Sequence, residues 1–586
     1  MKRKLKKADQ LLLLVLAFFL ILTYSLFQIQ VINGEEYKEI AEKNYFRIIS
    51  KPTRRGILYD RNMQPLTENI PSLSVYLDIK EITDVDSVAG FLSINLSVPE
   101  EDIRELIHKH RFFKFAPILV QDKVDMETAI RLEEQCEKFP AVIVKPEAIR
   151  YYDLNSHYIG YVGKMSADEY QKLKESDYAK TDYIGKVGLE KCYEQELKGE
   201  KGYDIIQVDA TGNPLGLMKE GSGKPSLPGK DFVLTVDKEL QKKIARLLPK
   251  DTSAVAIVMN CKTGGVVAMV STPEYDPNKF VTGMQEDYWT QIVENKNNPL
   301  LNKAMNAAYP PGSVFKLVVA AYALEKGLVD PYDVLVDCEG GVEYGGRFFG
   351  CWKEEGHGKM NLLDAIRESC DSYFYKIAEM INLNDFKEFI DDCNLLEKIP
   401  VDQIKSRKGF FPTSEWYNKN YGELGWTRGN LLNLCIGQGE VLLTPLSLTC
   451  FYAGIANNGI VHRPHFVDYS IRDEITETYK YPQLRLPISQ NTLDLLKQSL
   501  YEAVNAKGRT GGMARVKDIM VGGKTGSAEN YYGDTHAWFV AVAPMNDPEV
   551  VVLVFVEQGG SGADIAAQLA GKILGYYFKK EPLLRY

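Results

Sequence analysis

The chain has 586 residues, 45% of them hydrophobic and 25% charged, with a formal net charge of −9. That length implies several domains, the balanced composition excludes a disordered chain, and the mild acidity argues against a nucleic-acid binder. Nine cysteines, an odd number scattered singly, do not make a complete disulfide framework.

The first seven residues are rich in Lys and Arg, and residues 11–27 carry no charge. About 17 residues at ~1.5 Å each cover roughly 25 Å, enough to span a bilayer once Ile29, Val31 and Ile32 are added. No small-x-small cleavage pattern follows Tyr24 to Gln30, which argues against a cleaved signal peptide. Basic residues before the span, and Glu35, Glu36 and Glu39 after it, put the N-terminus inside and the bulk of the chain outside.

Residues 54–62 read as a short strand and turn, and the alternation over 72–77 as another strand. From 85 to 147 helical patterns dominate, with Ile103, Leu106 and Ile107, then Ala129, Ile130 and Leu132. His108 and His110 flank Lys109 at a polar helix end, a solvated surface rather than a ligand pair. Glu190, after the glycines of 184–188, reads as a structural partner for Arg55 or Arg150. The Gly-, Ser- and Pro-rich stretch 221–230 marks a boundary. Beyond it, apolar strands begin at 232, 254 and 265, the last two joined by a hairpin turn at 260–264. An antiparallel sheet followed by long helical patterns gives the α+β class.

Three motifs carry chemistry. Tyr309-Pro310-Pro311-Gly312-Ser313-Val314-Phe315-Lys316 opens a helix, with Ser313 in the first turn and Lys316 three residues on, so an amine can reach a hydroxyl. Roughly one or two Ser-x-x-Lys matches arise by chance in a chain this long, so that pair alone decides nothing. Downstream lie Ser369-Cys370-Asp371, within a helical pattern from Leu362 to Ile377, and Lys524-Thr525-Gly526-Ser527 before an apolar strand. The ordered set Ser-x-x-Lys, Ser-x-Asp/Asn, Lys-Thr-Gly belongs to serine enzymes that react with penicillin.

With these motifs, the box Arg54-Arg55-Gly56-Ile57-Leu58-Tyr59-Asp60-Arg61-Asn62 resembles class B penicillin-binding proteins. Arg150 to Asp153, His157 to Gly163, Gly437-Gln438-Gly439 with Thr444-Pro445, and His536-Ala537-Trp538-Phe539 follow in the family's order, although Asp153 stands where proline is usual. The resemblance covers nearly everything after Arg54. Asp371, where most members have Asn, is usual in the elongation-type penicillin-binding protein 2 branch. No segment resembles the glycosyltransferase domain of class A members.

The resemblance implies four regions: a cytoplasmic tail at 1–10, a transmembrane helix at 11–32, an elongated α+β pedestal of dimerisation type at 33–225, and a transpeptidase domain at 226–586. The last is a penicillin-binding, serine β-lactamase-like fold with helices on both faces of an antiparallel sheet. The implied function is peptidoglycan D,D-transpeptidation during cell-wall elongation and cell-shape maintenance. Ser313 would attack the penultimate D-Ala of a stem peptide, and β-lactams would acylate the same serine. Lys316 would be the base, which needs its pKa lowered by roughly three units, or ~4 kcal/mol, by burial and the like charge of Lys524. Ser369 would relay the proton, Lys524, Thr525, Gly526 and Ser527 would bind the substrate carboxylate, and the N–H groups of Ser313 and Ser527 would form the oxyanion hole. An ionised Asp371 beside Lys316 would oppose base action, so the carboxyl pairs with Lys524 or is protonated, or Lys316 must shed its proton despite it.

Between the first two motifs, Cys338, Cys351, His357 and Cys370 lie in a glycine-rich stretch. Three thiolates and an imidazole make a closed tetrahedral zinc set with no open position for catalysis. Elongation-type members can carry a structural metal here, with a His and a Cys aligning to His357 and Cys370. A Cys338–Cys351 disulfide, with Cys370 as a core residue, is the competing reading. The implied partners are a membrane glycosyltransferase of the shape, elongation, division and sporulation class and shape-determining scaffold proteins. The implied location is a bacterial cytoplasmic membrane with the catalytic domain periplasmic. Division- or sporulation-type members, a β-lactamase or β-lactam sensor, and a non-catalytic scaffold are the alternatives.

Overall fold

The computed structural model describes residues 7–35, 46–111, 117–173, 176, 178–179, 181–208, 214–217, 223–422, 425–530 and 533–582. Residues 1–6, Glu36 and Glu39 of the expected topology signal, and Gly221 and Ser222 of the expected boundary, lie outside the described residues. The N-terminal helix Lys7–Phe27 continues into a wider turn, Gln28–Ile32. Within it, Leu11–Ile32 is an apolar run of 22 residues with mean hydropathy 2.4, none of it covered by protein. Its length, about 33 Å at ~1.5 Å per residue, matches a bilayer core. Among the described residues, one helix is therefore suited to single-pass anchoring.

The chain divides into two compact units. The first comprises residues 1–55, 72–147 and 198–229. Asp84 and Asp125 cap the helices Val85–Leu96 and Met126–Glu133 by accepting from backbone N–H groups of their first turns. The apolar stripes of these helices and of Glu100–His110, among them Val88, Leu92, Ile103, Ile107 and Leu132, close a core on Val75 and Leu77. His108 is exposed, as expected. The reading of 85–147 as helical missed the strands Ile118–Val124 and Val142–Tyr152, which flank Thr67–Leu77. Most residues of Ile118–Val124 are half-buried, so it shows no clean apolar alternation.

The second unit comprises residues 56–71, 148–197 and 230–586. Its centre is a five-stranded antiparallel sheet in the order Val266–Thr272, Ala254–Asn260, Val550–Val556, His536–Ala543, Gly522–Ala528. Alternate residues serve opposite faces. Val255, Ile257 and Met259 join a core with Leu446 and Val319, whereas Ala254, Ala256 and Val258 join one with Ile244, Leu569 and Ile573. Helices Lys316–Glu325 and Pro445–Ala456 thus cover one face, and Lys238–Leu247 and Ala567–Phe578 the other. The Gly522–Ala528 strand, which carries the Lys-Thr-Gly motif, is left at the edge.

Segments from the first third of the chain build into this unit. Leu58–Tyr59 pairs in parallel with Asp231–Leu234. Asp60, fully buried, accepts from the N–H groups of Asn62, Gln64 and Lys238, which accounts for the acid in its box. Glu190 meets Arg150 at 2.7 Å in a buried pair, one of the two arginines expected. Asp153 pairs with Lys238 and with Lys242, the latter at 2.9 Å.

Candidate active site

Ser313 lies in a 3₁₀ turn, Gly312–Phe315, that feeds the helix Lys316–Glu325. Gly312 has φ 57°, and a Cβ there would sit 2.6 Å from Ser527 O, so the turn needs glycine to approach the edge strand. Gly437 meets the same constraint from the other side: its N–H-bearing turn accepts Gly312 N at 2.9 Å through Gly437 O, and a Cβ on it would lie 2.1 Å from Gly312 O. The Trp538 indole N–H donates to Pro310 O at 3.0 Å and the Tyr452 hydroxyl to Val314 O at 2.8 Å, pinning the turn at both ends. In sequence Gly437 and Trp538 stand out only as landmarks of the family's order.

The second motif differs from expectation. Residues Leu362–Glu368 and Asp371–Ala378 are two helices rather than one, and Ser369 between them is left-handed, φ 58°. The break turns Ser369 Oγ towards two buried lysines. Lys316 and Lys524 are both fully buried, their Nζ atoms 3.3 and 2.9 Å from Ser369 Oγ. Lys316 also donates to Ser369 O at 2.8 Å and to Asp371 Oδ1 at 2.7 Å. Of the two lysines that Asp371 was expected to choose between, it takes Lys316. Ser313 Oγ has no hydrogen-bond partner among the described residues.

Burial, and then the charge of Lys316, push the Lys524 ammonium well below its ordinary range, with Asp371 opposing. That puts a lysine with a depressed pKa, Lys524, against Ser369 Oγ. Along the edge strand, Thr525 Oγ1 lies 3.1 Å from Thr510 Oγ1, Gly526 packs against Pro311 O, and exposed Ser527 accepts from Gly562 N at 3.2 Å. Thr510 carried no signal in sequence beyond its residue type.

Cys338, Cys351, His357 and Cys370 do come together, their ligand atoms all within 4.8 Å of one another. All nine cysteines are free thiols, so the expected alternative bridge is not formed. His357 Nδ1 lies 3.6 Å from Cys338 Sγ and 3.5 Å from Cys351 Sγ. A tetrahedron with Zn–N of ~2.0–2.1 Å and Zn–S of ~2.3 Å has N–S edges of about 3.6 Å, so these donors fit that ion. His357 Nε2 is buried without a hydrogen-bond partner among the described residues. The Cys370 thiol bonds to Cys351, lowering the Cys351 pKa and raising its own.

This cluster touches the lysine site. Trp352, next to Cys351, donates its backbone N–H to Asp371 Oδ2 at 3.0 Å and its indole N–H to Glu368 O at 3.1 Å. Cys338 Sγ lies 3.1 Å from Ser372 Oγ, one residue past Asp371. Trp352 was not singled out in sequence, because the link runs through its backbone.

An antiparallel sheet between helical layers, with two lysines and two serines converging at its edge strand, defines the class of active-serine, penicillin-recognising enzymes. Residues 254–575 match the penicillin-binding protein transpeptidase domain and residues 50–234 the penicillin-binding protein dimerisation domain. The peptidoglycan D,D-transpeptidase MrdA of Haemophilus influenzae is 30% identical, over 96% of this chain and 89% of its own. The penicillin-binding protein PBP2 of Helicobacter pylori, solved in complex with MreC, superposes with a TM-score of 0.80 at 28% identity, covering 91% of this chain and 99% of that one. A chain of a solved peptidoglycan synthase complex, described as coordinating polymerization and crosslinking, gives 0.72 at 25% identity, covering 99% of each. The chain belongs to the class B penicillin-binding proteins, on the branch of elongation-type peptidoglycan D,D-transpeptidases.

Proposed function

We propose how this chain, an elongation-type peptidoglycan D,D-transpeptidase, uses its site. The observation that carries the reading is Ser369 Oγ lying between the two buried lysines, 3.3 Å from Lys316 and 2.9 Å from Lys524. Lys524, its pKa depressed, favours the neutral amine, so it is open to take a proton from Ser369 although holding that proton costs free energy. A proton passed from Lys316 through Ser369 to Lys524 leaves Lys316 neutral, and Lys316 then takes the Ser313 proton as Ser313 attacks the penultimate D-Ala carbonyl. Asp371 holds Lys316 in place and sets the difficulty of that transfer. Returning protons along the same path protonates the leaving D-Ala amine. An amine of a second stem peptide then resolves the acyl-enzyme. Lys524, Thr525, Gly526 and Ser527 line the edge that receives the terminal carboxylate, and β-lactams acylate Ser313 by the same route.

Cys338, Cys351, His357 and Cys370 would hold one zinc ion. With four protein ligands the ion's contribution would be structural. The loop they share carries Trp352, whose amide holds Asp371. The basic first residues favour an N-terminus inside and a catalytic unit outside the cytoplasmic membrane, with protease protection of a reporter at each end as the check. The likenesses to PBP2 bound to MreC and to a peptidoglycan synthase complex support a scaffold protein and a membrane glycosyltransferase as partners.

The test is a donor pentapeptide mixed with an acceptor stem. Wild-type protein should release D-Ala and form the cross-link, and Ser313→Ala should do neither. Cross-linking by a folded Ser313→Ala variant would overturn the assignment.

A further inference from the structure

The three sulfurs of the cluster lie close enough to one another for a second chemistry besides metal binding. A disulfide needs an S–S distance of ~2.0 Å and Cβ atoms ~3.5–4.5 Å apart, and the ligand atoms here already lie within 4.8 Å. The supports of the three thiols differ. Cys370 is the N-cap of a helix and its own N–H is bonded to Ala365 O at 3.0 Å, so its backbone is held on both sides of the break. Cys338 instead ends the short strand Val336–Cys338, and Cys351 follows the short strand Arg347–Gly350. Cys351 N donates to Gly340 O at 2.7 Å, so the two segments already meet two residues from Cys338. Cys351 is also the most exposed of the three at 6%, against 1% for Cys338 and 0% for Cys370.

We propose that Cys338 and Cys351 form a reversible disulfide that expels the zinc ion and disturbs the Trp352–Asp371 contact, making the cluster a thiol-redox modification site that slows acylation. The inference rests on the zinc reading and the outward orientation above. The co-reactant is a disulfide, either of an extracytoplasmic thiol oxidase or of a small thiol. Cys351 thiolate attacks one of its sulfurs, forming a mixed disulfide and releasing one thiolate. Cys338 thiolate then attacks the Cys351 sulfur, forming the intramolecular bond and releasing the second thiolate. The protein loses two electrons, the reagent gains two, and Zn²⁺ leaves a set reduced to Cys370 and His357. Each member sits next to the lysine site: Trp352 follows Cys351, Cys338 contacts Ser372, and Cys370 lies between Ser369 and Asp371. Drawing Cys351 towards Cys338 displaces the Trp352 amide from the carboxylate that holds Lys316.

The experiment uses the full chain in detergent with Cys136→Ser, since Cys136 is exposed and would link molecules. Zinc is first measured in the reduced protein. A fully reduced, folded sample without zinc would overturn the zinc reading itself. The protein is then titrated with oxidised glutathione, with zinc release followed by a chromogenic chelator, the bridge by peptide mass spectrometry, and acylation by a labelled penicillin. The expected result is release of one zinc per bridge, a Cys338–Cys351 peptide, and acylation slowed at least tenfold, all reversed by dithiothreitol and zinc. Cys338→Asp, measured against its own zinc content and rate before oxidation, lacks the resolving thiol and should stop at a Cys351–glutathione mixed disulfide with no intramolecular bridge under the same oxidant. Zinc retained while glutathione modifies other thiols, a Cys351–Cys370 bridge, or a bridge with unchanged acylation would each overturn the inference while leaving the zinc reading in place.

Discussion

Trp352 N–H donates to Asp371 Oδ2 while Asp371 Oδ1 accepts from Lys316 Nζ, so one carboxylate joins the cysteine-rich loop to the lysine three residues after Ser313. Asp371→Asn keeps an oxygen for Trp352 and removes the charge from Lys316. The variant leaves Lys316 Nζ facing a neutral amide in place of the carboxylate at 2.7 Å, so its acylation rate should differ from that of wild type across the pH range. A stopped-flow pH profile with a labelled penicillin checks this, and superimposable profiles would show that the charge does not govern the site.

The Arg150–Glu190 pair makes the opposite prediction. Both side chains are buried, and deleting one member strands a charge in a dry environment. Glu190→Ala should cost roughly 3–5 kcal/mol in denaturant unfolding, with acylation by the folded fraction unchanged. Lost acylation with stability intact would mean that Glu190 serves the chemistry.

His157 links stability to pH. Burial holds its imidazole neutral, with a pKa pushed down to about 4, and Lys303 adds to the effect against the bond to Pro299 O. The unfolded chain binds that proton near pH 6.5. As pH falls the unfolded state is protonated first, so this contribution is complete above about 6.5 and is lost between about 6.5 and 4. Melting curves across that window should slope less steeply for His157→Gln than for wild type. Equal slopes would remove His157 as the cause.

Much of this was legible in the residues. Ser313, Lys316, Ser369 and Lys524 were marked by spacing and order, and the four metal donors by their residue types in a stretch of glycine turns. The break at Ser369 was hidden because the apolar period runs through it, from Ile366 to Tyr373 and Phe374, and no Gly or Pro interrupts it. Trp352 was hidden because a backbone amide has no residue-type signature. Which lysine Asp371 would choose depended on the left-handed turn at Ser369, a tertiary feature that motif order does not carry.

The metal reading predicts one zinc per chain by elemental analysis of protein purified under reducing conditions. Removing it with a strong chelator should lower the melting temperature and slow acylation together, because the loop that holds Asp371 loosens. Chelation that alters neither would place the cluster outside the workings of the site.

The most direct test of the central claim is the fate of a labelled penicillin. The protein should carry one long-lived adduct, mapped by peptide mass spectrometry to Ser313 and absent from Ser313→Ala. An adduct on another residue, or rapid turnover to hydrolysed penicillin with no adduct, would contradict a transpeptidase that works through this serine.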